Sequence, residues 1–133
     1  MALYIVLENP LVDTDIIVDG KALSRAEPEL ADIAARLGVV PLMDYFSMDP
    51  TEAEEFLAVA DVDYASLGIE LREAQWFSAT EGLKTINGLL QYLQQEPGMV
   101  KDVEAVLRDL RECQRMLEAA EKHQIRWHLA VDY

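Results

Sequence analysis

A chain of 133 residues, 51% hydrophobic and 27% charged, has the length and composition of one globular domain covering residues 1–133; at this size roughly two thirds of the unfolded surface can be buried without disulfides or a metal. Its 25 Asp and Glu stand against 11 Lys and Arg, a formal net charge of −14. Such a field repels phosphate, which excludes direct nucleic-acid binding and disfavours an anionic membrane surface.

The first residues, Met1-Ala2-Leu3-Tyr4-Ile5-Val6-Leu7-Glu8, lack the basic flank and long apolar run of a signal peptide. No stretch approaches the roughly 18 apolar residues of a membrane span. A soluble, cytoplasmic protein is therefore expected. Leu3 to Leu7 is β-branched and apolar and is stopped by Asn9-Pro10, which predicts a strand. Without polar alternation it reads as a strand covered on both faces, or central in a small sheet.

Residues 16–27 admit two readings. Asp19-Gly20 between short apolar runs fits a hairpin turn, whereas a helix starting at Lys21 fits the spacing of Leu23, Ala26, Leu30, Ile33, Ala34 and Leu37. Pro28 costs about 3 kcal/mol inside a helix and little in its first turn, so the firm helix is placed at 28–37, with a weaker turn before it and Gly38 as its stop. Val39 to Phe46 reads as extended, with Pro41 confining it to an edge. Asp49-Pro50-Thr51-Glu52 has the order of a helix cap, with Ala53, Phe56, Leu57 and Ala60 turned inward. Residues 61–75 show no period and read as a connection.

Ser78-Ala79-Thr80-Glu81 is a capping-box pattern, followed by a stripe of Leu83, Ile86, Leu90 and Leu93 with Leu89 beside it. Pro97-Gly98 ends that helix, and a second runs over 102–122 with Val103, Val106, Leu107, Leu110, Cys113, Leu117 and Ala120 on one side. Glu104 with Arg108, and Glu118 with Lys122, are spaced to pair on its outer face. The short link predicts an antiparallel helical hairpin. Cys113, the only cysteine, rules out an intrachain disulfide and reads as a buried, reduced thiol. His123 falls at the carboxyl end of the second helix, where it complements the dipole. Apolar residues at 125, 127, 129 and 131 have the period of a strand, and the amino-terminal strand is its expected partner. The expected fold is α+β: about four helices, including the carboxyl-terminal hairpin, packed on a small sheet that joins the two ends of the chain. Tyr45-Phe46-Ser47 and Trp76-Phe77-Ser78 both precede helix starts but are too short to make a repeat.

Three segments, Leu3 to Pro10, Gly38-Val39 to Pro41-Leu42, and Trp127-His128-Leu129-Ala130-Val131-Asp132-Tyr133, together resemble small uncharacterised bacterial proteins of unknown function. The resemblance implies a bacterial cytoplasmic protein and carries no activity, cofactor or catalytic residue.

Enzyme signatures are missing: there is no nucleophile elbow, phosphate-binding glycine loop, Cys-x-x-Cys or His-Glu-x-x-His. No catalytic residue, metal site or cofactor is assigned. Asp13-x-Asp15 with Asp19-Gly20 has the wrong order for a calcium loop and reads as turn capping and solvation. His128 shares a side of the closing strand with Arg126, Ala130 and Asp132. That side is either an exposed strand face or the border of a cleft in which Arg126 and His128 orient an anionic ligand. Trp76, Trp127, Tyr45 and Phe46 read as core packing, with a pocket lining as the alternative.

Charge is unevenly spread. Residues 1–70 hold 15 acids and 3 bases, a net of −12, and the remainder is −2. Between Arg36 and Arg72 lie eight carboxylates and no base, so that stretch cannot neutralise itself. Either the excess serves solubility, or it meets a basic protein surface and speeds association. The expected function is non-catalytic protein association through Asp44, Asp49, Glu52, Glu55, Asp61 and Asp63, in one form as an antagonist or immunity-type protein against a basic target. The alternative is a small-molecule binder or enzyme with a pocket near the closing strand. A monomer is expected, or a homodimer through an uncovered sheet edge.

Overall fold

The computed structural model describes residues 2–9, 19–47 and 75–132. Strand β1 (Ala2–Leu7) leads to helix α1 (Lys21–Leu37), a 3-10 turn (Leu42–Tyr45), helix α2 (Ala79–Gln95), a second 3-10 turn (Pro97–Met99), helix α3 (Val103–Lys122) and strand β2 (Trp127–Asp132). The class is α+β: α2 and α3 form the helical hairpin and pack together more extensively than any other helices. The two strands pair antiparallel, from Ala2 opposite Asp132 to Leu7 opposite Trp127. Three helices are described; the helix expected after Asp49 lies outside the described residues.

The hairpin forms for the reasons its sequence announces. Ser78 is the N-cap of α2, its hydroxyl accepting the Glu81 N–H at 3.4 Å. Leu83, Ile86, Leu89, Leu90 and Leu93 turn inward against Val106, Leu107, Leu110, Cys113 and Leu117 of α3. Each such aliphatic side chain contributes about 1.5–3 kcal/mol when fully buried. Replacing Ser78 by Ala is expected to lower stability by about 1 kcal/mol, measured as a shift of the urea midpoint without a change in slope. At the far end of α3, His123 is the C-cap residue, and its backbone N–H donates to the Ala119 carbonyl at 3.2 Å. Gln124 follows in the left-handed region at φ 57, a role usually taken by glycine. The expected outer pairs of Glu104 with Arg108 and Glu118 with Lys122 do not close; among the described residues the one ion pair joins Arg126 to Glu8.

Helix α1 corrects the expected start at 28. It begins seven residues earlier, at Lys21, and carries Pro28 in its interior. The proline is on the exposed side, while Ala22, Leu23, Ala26, Leu30, Ile33 and Ala34 form one buried stripe. Burial along that stripe offsets the bond that a proline cannot donate. Asp19-Gly20 therefore starts a helix instead of closing a hairpin. Leu37, expected inside, is 40% exposed because the helix ends there; Gly38, at φ 72, turns the Val39 N–H back to the Ala34 carbonyl at 3.1 Å.

The segment read as extended between Val39 and Phe46 is instead wound into a 3-10 turn over Leu42–Tyr45. Pro41 supplies the fixed φ that begins it, and its carbonyl accepts the Asp44 N–H at 3.0 Å. A period of three places Leu42 and Tyr45 on the same side, and both are buried.

The strands also exchange the characters expected of them. β1, read as covered on both faces, alternates: Leu3 and Ile5 are buried and Tyr4 is 36% exposed. β2, read as one-sided, is buried on both faces, with Trp127 and Leu129 on one and His128 and Ala130 on the other. The two aromatic-Ser triplets explain part of this. Phe46 and Phe77 both form bridges to β2, opposite Leu129 and Trp127, along the edge that β1 leaves free.

Candidate functional site

The closing strand separates the two residues expected to share a cleft. Arg126 precedes β2 and is exposed, its guanidinium gripping Glu8 through two bonds of 2.8 Å, Nε to Oε2 and Nη2 to Oε1. That bond, together with the attraction between the charges, holds the Glu8 carboxyl below its ordinary range. His128 is only 4% exposed. Its ring lies against Trp76 with centroids 4.7 Å apart, and Nδ1 is 3.1 Å from the Leu129 carbonyl oxygen. A proton on Nδ1 is thus satisfied within the strand. The exposed-face reading of His128 is corrected, since Trp76 covers the ring that strand alternation places opposite the core. Arg126 borders a concavity of about 230 Å³ shared with Thr80 and Glu121, and His128 does not line it.

The aromatic residues resolve as packing. Tyr45 is 4.8 Å from Trp127 and meets Phe77 edge-on at 5.1 Å. The Trp127 Nε1–H donates to the Ser78 carbonyl at 3.0 Å, so the indole ties β2 to the start of α2. Cys113 is buried in the helical interface, and loss of water pushes its thiol up to about 12, which leaves it protonated and inert.

A groove of about 630 Å³ opens elsewhere, between the first turns of α1 and the link from α2 to α3. Arg25 and Glu29 stand on one wall and Lys101 and Asp102 on the other, above Ala26, Val100 and Val106. Two cations and two anions thus line the groove, an even balance of formal charge. Among the described residues no three His, Cys, Asp or Glu side chains gather as a metal site.

Of the carboxylates assigned to the acidic surface, Asp44 is exposed on the 3-10 turn, and Asp49, Glu52, Glu55, Asp61 and Asp63 lie outside the described residues. Asp19, Glu29 and Asp32 add exposed carboxylates on the described part of the same half. Residues 10–18 and 48–74 contribute one base, Arg72, so neutralisation of the acidic half has to come from outside it.

Asp109 was hidden among the ordinary charges of α3. Its side chain is fully buried and neither carboxylate oxygen has a hydrogen-bond partner. The helical spacing contained the signal: Asp109 falls three residues after Val106 and four before Cys113, on the buried stripe itself.

Comparison with known proteins finds no matching family model, no matching curated protein and no matching solved structure. Among the described residues no helix is long and apolar enough to cross a membrane.

Proposed function

We propose that this protein works by association in the cytoplasm, presenting the carboxylates of its first half to a basic protein surface, and that it has no catalytic role of its own. The observation that carries this reading is the net charge of −12 on residues 1–70. Among the described residues one carboxylate of that half, Glu8, is taken up in an ion pair, while Asp19, Glu29, Asp32 and Asp44 are exposed. Exposed charge of one sign steers a partner of the opposite sign and raises the rate of encounter. An inhibitory protein that covers a basic active or binding surface is the specific form this takes. Asp44, Asp49, Glu52, Glu55, Asp61 and Asp63 are the contact residues proposed.

The test is a variant in which those six acids become Asn or Gln. A partner captured by the native chain at low salt is expected to associate with the variant at least about tenfold more slowly. Its association with the native chain is expected to slow as ionic strength rises. A partner that binds both proteins equally, or whose association ignores salt, overturns the electrostatic reading.

A further inference from the structure

Helix α1 begins without a cap of its own. Its N-cap is Gly20, which has no side chain, so the first-turn N–H groups have no local acceptor. The fully buried Asp109 of α3 faces this turn: the N–H groups of Leu23 and Ala22 favour its charged form, although neither completes a hydrogen bond with it. Asp19, immediately before the turn, disfavours the charge, and Arg108 on α3 favours it. No described titratable group of α2 or the sheet acts on it. Cys113, one turn along α3, feels the same carboxylate. The Gly20 carbonyl is the junction above: it accepts the Leu3 N–H of β1 at 3.0 Å and the Ser24 N–H of α1 at 3.1 Å.

A carboxylate removed from water with both oxygens unpaired resists ionisation, and lifting the turn that covers it restores water to it. We propose that Asp109 is a proton-operated latch on the junction of β1 and α1: the neutral carboxyl holds the first turn of α1 closed, and ionisation lets that turn open more often. Burial raises the closed-state affinity for the proton above the ordinary value of 3.8, and the open state returns toward that value. The closed state therefore binds more protons. Its advantage is complete below the ordinary value and is lost as pH rises through the raised one.

Amide hydrogen exchange reads the latch directly. The Leu3 and Ser24 amides, both bonded to the Gly20 carbonyl, are followed from about pH 4 to about pH 7 after correction for intrinsic exchange, with the Phe77 and Trp127 amides as the reference for opening elsewhere. Protection at Leu3 and Ser24 relative to that reference is expected to fall by about tenfold for each unit separating the closed and open proton affinities. Asp109→Asn is expected to abolish the fall and to leave both amides better protected at neutral pH. Asp19→Asn, at an exposed position, keeps the buried carboxyl and removes its repelling neighbour, so the fall is expected to shrink. A flat wild-type profile, an Asp109→Asn profile like the wild type, or an Asp19→Asn profile unchanged from it overturns the latch. None of these readings involves a partner, so the latch and the association surface stand or fall separately.

Discussion

Gly20→Ala is expected to lower stability by more than about 3 kcal/mol, enough to unfold much of the population of a marginally stable domain. A Cβ at this position would stand 1.7 Å from the Leu3 carbonyl oxygen and 2.7 Å from its carbon. Both are backbone atoms of a strand held on its other edge by β2, so no side-chain rotation relieves the overlap. The residue also sits at φ 72, where a side chain adds roughly 1–2 kcal/mol of strain. Relief requires β1 and the start of α1 to part, at the expense of the Leu3 N–H bond to Gly20. Gly38→Ala is the matching control. Gly38 has the same φ of 72, yet nothing lies within 4 Å of an added Cβ. It is expected to cost only the conformational part, about 1 kcal/mol. Equal losses in the two variants, measured by urea unfolding, would show that Gly20 does not press on the strand.

Trp127→Ala is expected to cost about 3–5 kcal/mol. The indole is completely buried, stacks on Tyr45, and donates to the Ser78 carbonyl at the cap of α2. Its removal leaves a cavity and takes from the Ser78 carbonyl one of its two donors, the other being the Gly82 N–H at 3.2 Å. The absence of a side chain at position 82 makes the fit possible, because a Cβ on Gly82 would come within 2.4 Å of the Trp127 ring. Gly82→Ala should accordingly destabilise by about 1–3 kcal/mol through overpacking. In a Trp127→Phe background the smaller ring leaves room for the methyl, and the penalty should shrink. Strict additivity of the two substitutions in a double-mutant cycle would contradict this contact.

Much of the scaffold was legible from local pattern. The stripes of α2 and α3, the Ser78 cap and the stop at Pro97-Gly98 follow from short-range spacing, and the two terminal segments with strand character leave each other as natural partners; the described fold contains all of these. The first two turns of α1 were obscured by Pro28, whose local cost says nothing of the burial that offsets it. The 3-10 turn at Leu42–Tyr45 has no local signature because its apolar residues run together; only the buried side of the turn distinguishes Leu42 and Tyr45. On β2 the alternation correctly placed Trp127 and Leu129 inward, but it carried no information about Trp76, which covers His128 from a distant part of the chain. The candidate site was less legible than the fold. Arg126, just before β2, and His128, on it, lie two residues apart yet differ completely in solvent access: Arg126 reaches out to Glu8 at the surface, whereas Trp76 covers His128.

The sequence by itself determined the class of elements, the helical hairpin and the concentration of negative charge in the first 70 residues. Periodicity and summed charge depend only on which residues follow one another, and they survive without knowledge of what lies across the fold. The tertiary structure alone decided that Gly20 has to lack a side chain, that His128 is enclosed, and that Asp109 faces the start of α1 with both oxygens unpaired. Each is a contact between segments far apart in the chain. Burial of a charge and the collision of a methyl group are properties of such contacts, and no local pattern specifies them.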